Sequence, residues 1–189
     1  MKKIIICLLI SVMGYTVHAQ RFNSYRSDWK ASVGINAVGS LGTRNPVERL
    51  DDYAFKHPLA VAIEHQWAEE FAVELDMSLN GFDKGDALDN GNVISKDLTY
   101  FSTNVNFKWY FSEYLFDLEW LDLYAMGGVG LFQISETNTS ANLSGGVQFW
   151  LNENIALRLQ SSAKFAANAK NHLYDNNHFQ HVFQVVFRL

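Results

Sequence analysis

Cysteine is almost absent from this sequence of 189 residues: the single one, Cys7, lies in an apolar run near the start. If that run is removed as a leader, the remainder has no thiol, which excludes a disulfide framework, a cysteine zinc site and a thiol nucleophile. Proline is nearly as scarce, with two in the chain, and low-complexity segments are missing, which excludes a Pro-rich linker protein. Positive charge is in deficit, 15 basic residues against 20 acidic ones, and this argues against a nucleic-acid partner. Long hydrophobic runs are lacking too. The stretch Ile4 to Met13 is too short for a bilayer core of ~30 Å, which takes ~20 apolar residues in a helix.

What stands at the start is Met1, Lys2 and Lys3, then that apolar stretch, then Val17-His18-Ala19. This is the layout of a secretory signal peptide over residues 1–19, with cleavage after a small residue. No cysteine follows the cleavage point, so no lipid anchor is expected. Residues 20–189 are expected to form one domain.

Period-two alternation then marks eight runs: Trp29 to Gly39, Leu59 to Trp67, Phe71 to Phe82, Thr99 to Phe111, Leu121 to Ile134, Ala141 to Leu151, Ile155 to Phe165, and Phe179 to Leu189. In the third, Phe71, Val73, Leu75, Met77 and Leu79 fall on one face, and Ala72, Glu74, Asp76, Ser78 and Asn80 on the other. Short connections ("AEE", "SEYLFDLE", "NEN") alternate with polar ones expected to be long: Ser40 to His57, Gly81 to Asp97, Ser135 to Ser140, and Ala166 to His178. The fold class this predicts is all-β, an eight-stranded antiparallel up-and-down transmembrane β-barrel. Trp29, Trp67, Trp109, Trp120 and Trp150 all fall at the short-turn ends of their runs, as an interfacial aromatic girdle would.

Energy orients the faces. Turning Glu64, Glu74, Asp76, Lys108 and Arg158 toward lipid would cost up to ~2 to 4 kcal/mol per basic group near the midplane, somewhat less per acid. Summed, that rivals a domain's whole stability of roughly 5 to 15 kcal/mol. The polar face is therefore expected inside a barrel whose outer wall meets outer-membrane lipid. A soluble lipocalin-like barrel has the same alternation with the apolar face inward. The leader, the tryptophan level and the loop asymmetry favour the membrane. The last run puts Phe183, Val185, Phe187 and Leu189 on one apolar face, and the strand is expected to pair with the first and close the barrel.

The run "NLSGGVQFWLNENIALRLQSSAKF" resembles the penultimate hairpin of the OmpA-like and OmpX-like eight-stranded outer-membrane barrels, and "HVFQVVFRL" is similar to their closing strand. The resemblance implies that the closing strand, with Phe183, Val185, Phe187 and Leu189, is read by the outer-membrane assembly machinery. Leu189 stands where members commonly end in Phe. Side-chain heights and the facing of the third and seventh strands across a narrow lumen predict Arg158 paired with Glu74 or Asp76, with Lys108 and Glu64 joining from below, and the family is similar in carrying an inward network of this kind. The wider inward set comprises Lys30, Lys164, Arg188 and Asp122. No peptidoglycan-binding domain is expected beside the barrel, and so no wall-anchoring role.

Other chemistry is thinly supported. Ser161 and His181 point toward lipid by parity, where a lipid-modifying enzyme would place its catalytic pair, but no local signature of such enzymes accompanies them. "DKGDALDNGN" has acids and glycines without EF-hand spacing and reads as a solvated loop. The sequons at Asn138 and Asn142, and His172 with His178 in one connection, carry little weight for modification or metal. The expectation is a monomeric, non-enzymatic outer-membrane protein without cofactor, metal or nucleic-acid partner. It would serve envelope integrity, adhesion or docking of a surface ligand through loops such as Arg44 to Tyr53 and Gly81 to Asp97. The alternatives are a narrow ion-conducting pore, a lipid-modifying enzyme, and a subunit of an envelope complex.

Overall fold

The computed structural model describes residues 28–39, 45–47, 50, 53–88, 92–167 and 177–189. The expected leader, His172 and half of the connection Arg44 to Tyr53 lie outside these residues. The described chain forms β1 (Asp28–Val38), β2 (Leu59–Gln66), β3 (Phe71–Phe82), β4 (Ala87–Leu88), β5 (Asn92–Val93), β6 (Leu98–Tyr110), β7 (Leu121–Gln133), β8 (Thr137–Trp150), β9 (Ile155–Ala166) and β10 (His178–Arg188). Eight of these close an antiparallel barrel in the order β1-β10-β9-β8-β7-β6-β3-β2. The short strands β4 and β5 make a separate hairpin inside one connection.

The seam answers the edge problem. β1 pairs with β10 from Lys30 opposite Arg188 to Val38 opposite Gln180, so no free strand edge is left in the barrel. At Gly34 a Cβ would stand 1.9 Å from the Phe183 carbonyl oxygen, so only glycine allows the two strands to approach this closely there.

One end of the barrel carries the connections 67–70, 111–120 and 151–154, here termed the turn end. The other, the loop end, carries 39–58, 83–97, 134–136 and 167–177. The connection expected to be long over Ser135 to Ser140 is a tight turn: β8 starts at Thr137 and continues the alternation into what reads as a polar loop. Asn138 and Ser140 are buried on the inner face, and Thr139 faces out. Polar residues at alternate positions suit a lumen as well as they suit a loop, which is why composition misled there.

Parity sorts the walls as expected. Outward positions such as Val33, Leu75, Val105, Val129, Leu143 and Leu159 are exposed, while their neighbours face the interior. The interior has three levels. Charges crowd the turn end. Ser, Asn and Gln fill the middle. At the loop end an apolar cluster of Val38, Phe82, Leu98, Tyr100, Phe132 and Ile134 takes in Ala54 and Ile94 from the connections. The lumen is thus not polar throughout, and two loop residues close its outer mouth.

Candidate functional site

The site is built by strand parity near the turn end. β2 directs Glu64 inward, β3 Glu74, β6 Lys108, β9 Arg158 and β1 Lys30, and all five are buried. Arg158 reaches both acids, with Nη1 2.7 Å from Glu74 Oε2 and Nη2 2.7 Å from Glu64 Oε2. Lys108 Nζ bridges the same two carboxylates at 2.5 and 2.6 Å. Lys30 Nζ approaches the other Glu64 oxygen at 3.1 Å and donates to Gln66 at 2.5 Å. Glu64 Oε1 also accepts from Tyr110 at 2.5 Å. Glu64 is the hub, since one carboxylate holds three cations and a phenol.

Neutral partners complete the coordination. Arg158 donates from Nε and Nη2 to Gln148 Oε1 at 3.1 and 2.9 Å. The Tyr124 ring lies 4.5 Å from the Lys108 ammonium and 5.7 Å from the Arg158 guanidinium carbon, close enough for cation–π attraction. Desolvated charges are tolerable when each is paired and hydrogen-bonded, and that condition is met here.

Asp76 stands apart from this arrangement. Of the two acids expected opposite Arg158, the structure brings up Glu74, and Asp76 instead accepts from Asn104 at 2.6 Å and Asn106 at 2.7 Å. Asn104 and Asn106 lie over glycines of β7: a Cβ on Gly128 would meet Asn106 Oδ1 at 2.2 Å, and one on Gly130 would meet Asn104 Oδ1 at 2.1 Å. The Gly-rich segment of β7 thus makes room for side chains from β6. Lys164 donates to Ser102 at 2.9 Å and Asn104 at 3.3 Å. Beside these groups a cavity of about 20 Å³ remains, room for about one water.

The tryptophans divide. Trp29, Trp67, Trp109 and Trp120 are 41–51 % exposed on the outer wall at the turn end, whereas Trp150 is 4 % exposed and points into the lumen. The girdle expectation fails for Trp150 because it shares parity with Gln148. Its indole N–H donates to Asp122 at 2.7 Å, and Arg188, itself 2.6 Å from Asp28, sits 4.3 Å from its ring. A buried indole needs such an acceptor. On β10, Phe183, Phe187 and Leu189 are exposed on the outer wall, and Val185 between them is half-buried there.

Outside the barrel, two acids of the connection 83–97 are engaged by a lysine. Lys56 Nζ lies 2.5 Å from Asp83 and 2.7 Å from Asp97. Hydrogen bonds with Asp83 and then Asp97 raise the Lys56 pKa, and the one from Lys56 lowers that of Asp97. In the connection 111–120, partial burial and then the nearby Glu69 carboxylate raise the Glu113 pKa. Among the described residues no group of His, Asp and Glu is arranged to hold a metal. His178 accepts or donates a 2.9 Å hydrogen bond with Tyr100 inside the apolar cap. Ser161 and His181 are cross-strand partners, but His181 Nε2 is turned to the Pro46 carbonyl at 2.8 Å and to Tyr53 Oη at 3.2 Å.

Sequence reasoning did not single out Tyr110, Tyr124, Gln148 or Gln66. Parity could have found Tyr110, Tyr124 and Gln66, each two residues from an expected inward charge on its own strand, whereas Gln148 is identified by its cross-strand pairing with Arg158 and Asp122.

No family model and no curated protein matches the chain. Solved structures do. Neisserial surface protein A (NspA) is similar at 12 % identity and a TM-score of 0.59, over 87 % of this chain and 97 % of that one. The outer membrane protein OprG from Pseudomonas aeruginosa is similar at 10 % identity and 0.59, over 90 % and 99 %. Ail, the attachment invasion locus protein of Yersinia pestis, is similar at 12 % and 0.54, over 87 % and 100 %. Closed topology, an apolar outer wall and these likenesses together show that the chain has the fold of the eight-stranded outer-membrane β-barrels.

Proposed function

We propose that this protein is a non-enzymatic outer-membrane barrel whose filled lumen is a rigid anchor for surface loops that dock a partner, adhere, or brace the envelope. The observation that carries this reading is the Arg158–Glu74–Glu64–Lys108 cluster, which blocks the barrel axis with paired charges. The apolar cap with Ala54 and Ile94 supports it by closing the loop end. A plug of this kind spends the lumen on stability and leaves the loops as the working surface.

Cell fractionation with gel migration before and after boiling tests the location, and a heat-dependent shift in the outer-membrane fraction is expected. Planar-bilayer recordings test the plug: the purified barrel is expected to be silent, whereas steady conductance that changes in Arg158→Ala would make it a narrow pore. Binding to cells is expected to fall when residues 40–52 are replaced by a short Gly-Ser linker. Unchanged lipid A in overexpressing cells is expected, and altered acylation would point to an enzyme instead.

A further inference from the structure

The outer wall is not evenly filled. Across β1, β10, β9 and β8 one register row carries Ala37, His181, Ser161 and Gly145, side by side. The adjacent row toward the turn end carries Ile35, Phe183, Leu159 and Val147. Small side chains beside bulky ones leave a groove of about 480 Å³ on the outer face, within the ~300 to 1,000 Å³ typical of small-molecule pockets. Phe55 from the connection 39–58 stands over it, 57 % exposed.

The groove has a direction. Ala37 lies next to the loop end of β1, and Gly145 lies near the middle of β8, so the row descends from the rim toward the centre of the wall. Polar groups break the apolar lining at Ser161 and His181. The Ser161 hydroxyl makes no hydrogen bond among the described residues. His181 is fixed by Pro46 and Tyr53, with its ring stacked on Tyr53 at 5.2 Å.

Resting on the outer-membrane reading above, we propose that this groove seats one acyl chain of an outer-leaflet lipid. The groove is continuous with the apolar wall that faces lipid, so acyl chains are what surrounds it. Its slope matches a chain that starts near the headgroups and runs toward the midplane. Its volume is that of a single extended chain with little to spare. Phe55 lines the groove from the connection 39–58, at the loop end.

The test uses the full mature chain in phosphatidylcholine vesicles carrying a small fraction of acyl-chain spin-labelled phosphatidylcholine, read by electron paramagnetic resonance. The wild-type barrel is expected to hold one slowly exchanging lipid beyond the fast-exchanging shell. Gly145→Leu fills the groove with a side chain that lipid tolerates, and a Cβ there meets only the Tyr124 carbonyl at 3.8 Å; the slow lipid is expected to vanish. Equal slow fractions in wild type and Gly145→Leu would overturn the proposal, as would a second copy of the chain cross-linked through the groove in place of lipid. Each variant is checked for the heat-dependent gel shift, so a barrel that is not in the membrane is told apart from one that inserts and holds no lipid.

Discussion

The two ends of the lumen are closed by different means. At the turn end the plug is ionic, and its Lys30, Glu64, Glu74, Lys108 and Arg158 all come from barrel strands. At the loop end it is apolar, and Ala54 and Ile94 come from outside the barrel strands. A strand holds its side chains at fixed heights and faces, which suits a network whose energy depends on distances of 2.5–3.1 Å. An apolar contact is undirected and tolerates the looser placement of a loop. The same barrel therefore pairs a base built on directed contacts with a cap built on undirected ones.

The comparison is broken most severely at Glu64. Replacing it with Ala strands Lys30, Lys108 and Arg158 around one remaining carboxylate, and a loss of ~3 to 5 kcal/mol is expected from denaturant unfolding in lipid. A loss below about 1 kcal/mol would mean that the cations find other partners, and that the ionic plug is not what rigidifies the base.

At the other end Ile94→Ala is expected to weaken the cap by ~2 to 3 kcal/mol, near the low end for a buried aliphatic side chain. The effect should stay local: amide exchange and protease cleavage rise over residues 83–97, while β6 and β7 keep their protection. If strand protection falls in parallel, the two ends are one cooperative unit.

Between them, Gly130→Ala would push Asn104 off Asp76, because the added Cβ meets Asn104 Oδ1 at 2.1 Å and the Thr103 carbonyl at 2.5 Å. A cost of ~1 to 3 kcal/mol is expected, as for other overpacked positions, and Gly145→Ala on the outward face should cost far less. Equal losses in the two variants would show that strand propensity, not the space over β7, sets the glycine requirement.

The smallest effect concerns pH at the turn end. Burial and Glu69 raise the Glu113 pKa above its ordinary value of 4.5, so the folded state binds its proton more tightly than the unfolded state. Stability from this group is greatest below 4.5 and is lost as pH rises through the raised value. Glu113→Gln should flatten that part of the pH–stability curve and leave the ionic plug untouched. The loop-end pair behaves oppositely: Asp97, held below its ordinary 3.8 by Lys56, contributes above that pH and is lost on further acidification.

The eight strands and their faces were legible along the chain, because period-two alternation is written residue by residue. Alternation put Glu64, Glu74, Lys108 and Arg158 on the polar faces of their strands, and the cost of a charge in lipid turned those faces to the interior. Trp150 was not read correctly, since its place at a strand end outweighed its parity with Gln148. Nor was the tight turn 134–136, because Thr137 to Ser140 are as polar as a loop and only pairing with β7 shows them to be strand.

What the sequence determined by itself is the alternation, the strand lengths and hence the closed barrel with charges inside: each follows from local side-chain direction and the cost of a charge in lipid. Tertiary structure alone decided which charges meet. The stagger between strands sets the height of every inward side chain, so Arg158 reaches Glu74 and Glu64 while Asp76, one inward step higher on β3, falls to Asn104 and Asn106. It also decided that Ala54 and Ile94 fold back into the mouth, and that Ala37, Ser161 and Gly145, from three strands, line up with His181 along a groove. Register between distant strands is a property of the closed sheet, and no single strand carries it.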